Sequence, residues 1–338
     1  KSIDISVEEK PTGEIYASAG AGTSGASFGF GIKENNFLGN GIGLDSNFLI
    51  STSSFKGKFS VRNPNFNNTD KSIFISAEAT ENDNYETYGY KTNKTGISIG
   101  TDFEYLNDFY LGINNSNFYE VIETNSTASV QQQAQEGNYW DSFMKFNFNY
   151  DKRNQKFQTS DGFKSFYSLD LPIISDTNTI KNYYNYSHYF DFFKKNFSSI
   201  SIYLQSANSL NNKDIKLSER INIPSSRLRG FEDGRVGPKD GDDFVGGNYA
   251  YSINFASNIP QLFEESQSID FLIFADAADI WGVDYNSSIE GDGIRSSIGV
   301  ALDWMTPIGP MSFSFAHPIT KKNSDVTETF RFNLGTTF

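Results

Sequence analysis

The sequence predicts an all-β fold: a closed, transmembrane, antiparallel β-barrel of about sixteen strands. Three observations predict it. Apolar and polar residues alternate along almost the whole chain, and a helical period is nearly absent. Aromatics are abundant, with 32 Phe, 18 Tyr and 3 Trp making 16% of 338 residues, yet all hydrophobics together reach only 37%. That combination suits a sheet with one apolar face, one wet face and aromatic girdles better than the aliphatic core of a soluble domain. The mean hydropathy is −0.47. No apolar run approaches the roughly 18 residues of a membrane-spanning helix.

Taken in order, each strand shows itself by which side chains share a face. Phe55–Arg62 and Ile73–Thr80 alternate bulky apolar groups with Lys, Ser and Glu. In the next run Ile97, Ile99, Thr101, Phe103 and Tyr105 interleave with Ser98, Gly100, Asp102 and Glu104, and Phe109–Asn114 continues the pattern. Met144, Phe146, Phe148 and Tyr150 interleave with Lys145, Asn147 and Asn149. Further runs are Ser165–Leu171, Ile200–Gln205, Tyr251–Phe255, Ile298–Trp304, Met311–Phe315 and Phe330–Leu334. Asn63-Pro64-Asn65, Asn67-Asn68, Asp161-Gly162 and Ile308-Gly309-Pro310 punctuate them as turns. At roughly 10 residues per tilted strand, the strands take about 160 residues and leave an average of about twelve per connection. Short turns are expected at one end and long loops at the other, the longest at Ile122–Asp141 and Leu228–Gly247. Neither reads as a linker between domains. A soluble propeller or adhesin sandwich also has many short strands, but no repeat of about 40–50 residues accompanies these.

The chain carries 28 basic and 41 acidic side chains, a net charge of −13, which argues against a nucleic-acid partner. With no Cys, disulfides, thiol nucleophiles and thiolate zinc sites are excluded. His188 and His317 are the only histidines, too few for histidine-based metal or triad chemistry. Asp242-Asp243 and Glu264-Glu265 read as solvated loop acids, without the Asp-x-Asp-x-Asp-Gly spacing of a calcium loop. No catalytic residue, metal or cofactor is expected. No cleavable signal stands at Lys1, so the chain reads as mature or cut from a longer one.

Several stretches, in order, resemble the BamA-type outer-membrane protein assembly barrels. Arg227-Leu228-Arg229-Gly230-Phe231, with Val236-Gly237-Pro238 and Val245-Gly246-Gly247-Asn248, is similar to that family's loop-six signature. Phe274-Ala275-Asp276-Ala277-Ala278-Asp279-Ile280-Trp281 resembles its Phe-x-Asp-x-Gly-x-Val-Trp strand. The run from Trp304 through Pro310, and then Phe330 through Phe338, resembles its C-terminus. Asn35–Gly39 with Gly41, Ser60–Phe66, and Asp151–Asn154 with Asp161-Gly162 look like family turns. The resemblance implies sixteen strands with loop six folded into the lumen. It also implies residues 1–13 as the end of a preceding POTRA domain or linker, and 14–338 as the barrel. The implied function is folding and inserting β-barrel proteins in the outer membrane of a Gram-negative bacterium, without covalent chemistry. Implied partners are unfolded outer-membrane clients, periplasmic or lipoprotein accessory subunits, and outer-membrane lipid.

The same resemblance places Leu228, Arg229, Gly230 and Phe231 in the lumen, with Arg229 meeting acids on the inner wall. Strand parity independently turns Leu272, Phe274 and Asp276 inward and Phe271, Ile273 and Ala275 toward lipid, so Asp276 can accept a bidentate fork from Arg229. A second family acid aligns with Asn254, which parity also places inside; its amide is expected to accept a hydrogen bond where the family has a charge. Gly230 is expected to hold a backbone shape closed to other residues, and Phe231 to pack the loop on the wall. The family's lateral seam falls between Ile15–Thr23, weak through Gly20 and Gly22, and the terminal strand with Phe332, Leu334 and Phe338. Two rivals share the barrel: a sibling secretion barrel exporting a partner protein, and a passive porin. An enzyme using His188 is a distant third, because no partner motif accompanies it.

Overall fold

The computed structural model describes residues 10–156, 158–259, 268–289, 291, 293–306 and 309–335. Its strands are β1 (Gly13–Gly22), β2 (Gly25–Phe37), β3 (Ile42–Ser51), β4 (Ser54–Asn63), β5 (Ser72–Asn84) and β6 (Tyr90–Leu106). They continue as β7 (Phe109–Thr124), β8 (Gly137–Asp151), β9 (Gly162–Pro172), β10 (Thr179–Phe190) and β11 (Ser198–Ser209). A small ladder of β12 (Lys239–Asp240) with β13 (Asp243–Phe244) stands apart from the wall. The wall resumes with β14 (Tyr249–Asn258), β15 (Ile269–Trp281), β16 (Arg295–Thr306), β17 (Gly309–Thr320) and β18 (Phe330–Leu334). All but β12 and β13 form one closed antiparallel barrel, each strand pairing with its neighbours in the chain and β18 returning to β1. Closure removes the free edges that an open sheet could not keep in hydrocarbon.

The two faces separate as the alternation requires. Ile15, Phe30, Ile32, Phe48, Phe59, Ile75, Ile97 and Ile99 are exposed on the outside. Between them Lys58, Ser60, Ser76, Glu78, Thr80, Lys94 and Ser98 line an interior cavity of about 770 Å³. So many large apolar groups on one continuous outer surface need lipid as their solvent. Buried hydrophobic packing lies within the lumen, where Ile215, Ile221, Ile223, Leu228, Phe231 and Val236 meet Tyr203, Ala250, Ala278 and Ile280 of the wall.

The connections differ from expectation in three respects. β7 runs to Thr124 and β8 starts at Gly137, with Ile122 paired to Gly137, so the expected loop Ile122–Asp141 shrinks to 125–136. Its flanks alternate, but Glu120, Asn138 and Asp141 gave those ends a loop-like composition. The second long connection starts earlier, spanning 210–248, because Ile215, Leu217, Ile221 and Ile223 are buried within the loop and not on the wall. At that same end the turns at 23–24 and 52–53 are two residues long, so loop length does not sort cleanly by end. β1 begins at Gly13, one residue before the expected start of the barrel; residues 1–9, Glu264-Glu265, Pro307-Ile308 and Phe338 lie outside the described residues.

Candidate functional site

Segment 210–248 enters the lumen, and its sharpest geometry surrounds Asp276 on β15. Arg229 Nε donates to Asp276 Oδ2 at 2.7 Å and Nη2 to Oδ1 at 2.7 Å, while the Arg229 main-chain N–H adds a third bond at 3.1 Å. Asn254, which β14 pairs directly with Asp276, donates its amide to Oδ1 at 2.8 Å. Those four donors fill the lone-pair positions of one carboxylate. Asn254 Nδ2 therefore donates to the acid and, at 2.7 Å, to the Arg227 carbonyl, while its Oδ1 accepts from Ser252 Oγ at 3.0 Å. The Asp276 side chain is 0% exposed and Arg229 21%, and the guanidinium lies 3.6 Å from the centre of the Phe274 ring.

Gly230 follows with φ +93°, and a Cβ there would sit 3.0 Å from the Ala316 Cβ, so both backbone shape and space select glycine. Leu228 and Phe231 on either side are 1% exposed in the lumenal cluster. The order of residues explains the local fold. Two apolar anchors bracket a charged one, and the glycine lets the chain turn so that all three reach the wall.

The loop has further anchors that the sequence reading missed. Lys216, 1% exposed, pairs with Glu120 of β7 at 2.7 Å and with Asp141 of β8 at 2.5 Å. Burial works against its ammonium, but Glu120, Glu219 and Asp141 outweigh burial and hold it above the usual lysine range. Glu219 pairs with Lys181 of β10 at 3.2 Å, and Arg227 donates to Asn185 of the same strand at 3.0 Å. Outside this loop, Arg295 of β16, also 1% exposed, forks to Asp325 at 3.0 and 3.2 Å and reaches Asp279 of β15 at 3.0 Å. Inward parity at Glu120 and Asp141 was readable, but no spacing rule connects them to Lys216; Asp279 falls on the β15 parity that alternation turns toward lipid, so its contact with Arg295 was not legible.

The seam between β1 and β18 is a different kind of site. β1 pairs with β2 over ten residue pairs, Gly13↔Glu34 through Gly22↔Gly25; among the described residues it pairs with β18 at Ala21↔Leu334 and Gly22↔Asn333, and Thr23 N–H adds a bond to the Phe332 carbonyl at 3.1 Å. Glycine permits the close approach here. A Cβ on Gly22 would lie 2.5 Å from Asn333 Oδ1 and 2.7 Å from the Phe332 carbonyl, and one on Gly20 3.3 Å from the Leu334 carbonyl. Ile15 is 74% exposed on the outer face. Phe330 and Phe332 stack at 6.3 Å between centroids. His188 lies on the outer face of β10, its ring stacked on Phe190, and His317 is exposed on β17. The described residues hold no group of three or more His, Cys, Asp or Glu placed to bind a metal.

The sequence profile of the Omp85 superfamily domain matches residues 36–338. The outer membrane protein assembly factor BamA of Neisseria meningitidis is 35% identical over 140 residues, 33% of this chain and 17% of that protein. The BamA of Neorickettsia risticii is 22% identical over 349 residues, which cover 99% of this chain and 46% of that protein. The chain thus spans less than half the length of these relatives. The crystal structure of BamA from Haemophilus ducreyi lacking POTRA domains 1–3 superposes with a TM-score of 0.90 at 25% identity, covering 98% of this chain and 71% of that one. CdiB from Escherichia coli superposes at 0.61 with 12% identity, over 98% of this chain and 64% of its own, a likeness of fold alone.

Proposed function

This chain belongs to the Omp85 superfamily, and from that premise we propose that it is the barrel of an insertase, folding and inserting β-barrel proteins through the seam between β1 and β18. It sits as a multi-pass barrel in the outer membrane of a Gram-negative bacterium. The observation that carries the reading is the asymmetry of β1 among the described residues, with ten residue pairs to β2 and two to β18.

The physical argument is one of exchange. Each ladder hydrogen bond contributes a net ~0.5–1.5 kcal/mol where water competes, so among the described residues the short β1–β18 ladder costs less to break than the β1–β2 ladder. In hydrocarbon, however, an unpaired backbone group costs several kcal/mol, so the seam does not simply gape. An incoming client strand resolves the conflict by pairing with one edge as the other lets go. Hydrogen bonds are exchanged and no covalent bond is made or broken, so the work is non-covalent. Its partners are unfolded outer-membrane proteins, the accessory periplasmic or lipoprotein subunits of an assembly complex, and the surrounding lipid. Ties from the inward loop cross the lumen, which disfavours the secretion and porin readings, both of which route traffic along the barrel axis.

The test is a reversible tether. Because the chain has no Cys of its own, Ala21→Cys with Leu334→Cys places one disulfide across the native register. Client insertion by the full-length protein in lipid vesicles is expected to stop on oxidation and return on reduction. Complete cross-linking with insertion at the untethered rate overturns the proposal.

A further inference from the structure

Among the described residues, more than its pairs to β1 holds β18 in place. β17 pairs with it over Met311–Phe315, and a second set of contacts comes from the inward loop. The connection 321–329, just before β18, turns into the mouth of the lumen and lies antiparallel to the loop directly after Arg229. Glu328 N–H donates to the Gly230 carbonyl at 3.0 Å, and Glu232 N–H to the Val326 carbonyl at 3.0 Å. Val326 N–H donates in turn to Arg235 at 3.0 Å, and Phe231 bridges to Thr327 between them.

Arg331, on β18 itself, completes this attachment. Parity sends Phe330 outward, 4.7 Å between centroids from Phe315, and turns Arg331 into the lumen. Its Nε donates to Glu328 Oε2 at 2.8 Å, Nη1 to Ser225 Oγ, and Nη2 to the Phe231 carbonyl at 3.5 Å. The side chain is 14% exposed. A rigid guanidinium fork committed to a carboxylate, a hydroxyl and a main-chain carbonyl fixes orientation in a way a solvated lysine does not.

The seam ladder needs such a fix from elsewhere. β1 reads Ala-Ser-Ala-Gly-Ala-Gly over Ala17–Gly22. A slip of two residues keeps every side chain on its own face and exchanges one small residue for another, so this strand specifies register weakly. We infer that Arg331 is a positioning residue for the seam: it ties the closing strand to the loop that carries the Arg229 clamp, and thereby sets the register in which β18 meets β1. The inference deepens the seam reading above and rests on it for its functional consequence.

Two disulfides in the full-length protein, in lipid vesicles, read the register. Ala21→Cys/Leu334→Cys reports the native alignment and Ala19→Cys/Leu334→Cys a slip of two residues. Arg331→Ala is expected to shift the native-to-slipped ratio by about fivefold or more, the change that follows from losing one charge-assisted attachment. The barrel should stay folded by its mobility on unheated gels. Arg331→Lys, which keeps a cation for Glu328, should recover part of the shift, and Glu328→Gln should reproduce part of it. Should the alanine variant fail to fold, Arg331→Gln is read in the same way. An unchanged ratio, or an equal fall in both disulfides, overturns the inference. A shifted ratio with client insertion untouched supports the positioning role while refuting the insertase reading.

Discussion

Truncating Arg229 to alanine tests the lumenal clamp most directly. Asp276 keeps the Arg229 main-chain N–H and the Asn254 amide but loses two bonds of 2.7 Å from the guanidinium. Hydrogen bonds to a charged group contribute ~1.5–3 kcal/mol each. Breaking a buried pair by removing one partner costs ~3–5 kcal/mol. Arg229 is 21% exposed beside an acid that is 0% exposed, so water can enter the vacated space and the loss should fall at about 3 kcal/mol. Arg229→Lys retains the charge without the fork and should lose about half as much. The assay is urea unfolding in lipid vesicles, followed by fluorescence of Trp140, Trp281 and Trp304. Combining Arg229→Ala with Asp276→Asn gives a cycle whose coupling energy should reach ~2 kcal/mol. A loss below ~0.5 kcal/mol for Arg229→Ala, the level of an ordinary surface change, refutes the reasoning.

Two further outcomes follow from the geometry. Gly22→Ala places its methyl within 2.7 Å of the Phe332 carbonyl, so disulfide formation between Ala21→Cys and Leu334→Cys should slow severalfold, whereas Ala17→Gly on the same strand should leave it unchanged. Lys216→Met takes the ammonium from Glu120 and Asp141, leaving them the hydroxyls of Ser218 and Ser175, and should cost ~3–5 kcal/mol at neutral pH. Because the folded Lys216 ammonium is held above its usual range, its contribution is complete below the unfolded lysine value of about 10.4 and is lost as pH rises through the folded value. Unfolding midpoints of wild type and Lys216→Met should therefore converge only in strong alkali, and a gap already closed at neutral pH would count against the network.

Legibility followed the range of the interactions. Alternation is written residue by residue, so the wall strands and the inward parity of Asp276 and Asn254 could be read directly. The partnership of Arg229 with Asp276 came from a family resemblance together with parity. Lys216, Arg295 and Arg331 had no such help, since each meets acids or carbonyls on segments far along the chain, and distance in sequence carries no periodicity. Asn254 shows the same boundary on a smaller scale. Its side was readable, but that its amide nitrogen turns to Asp276 and its oxygen to Ser252 depends on partners that the folded barrel sets around it. The loop start at 210 was hidden because Ile215 and Ile221 look like wall residues until a lumen exists for them to fill.

The loop also has a mechanical consequence. A sixteen-stranded sheet rolled into a tube is a thin shell, and the softest deformation of a thin shell is flattening toward an oval. Segment 210–248 acts as a cross-brace against it, with ties to β6 through Leu217, to β7 and β8 through Lys216, to β10 through Glu219 and Arg227, and to β15 and β18 through Arg229 and Ser225. The arc from β1 to β5 carries none of these ties, and the cavity of about 770 Å³ stands between the loop and the inner faces of β4 and β5. Under the opening proposed above, the barrel is expected to behave like a hinged shell with one stiff half, the braced arc keeping its curvature and the β1–β5 arc moving as the leaf.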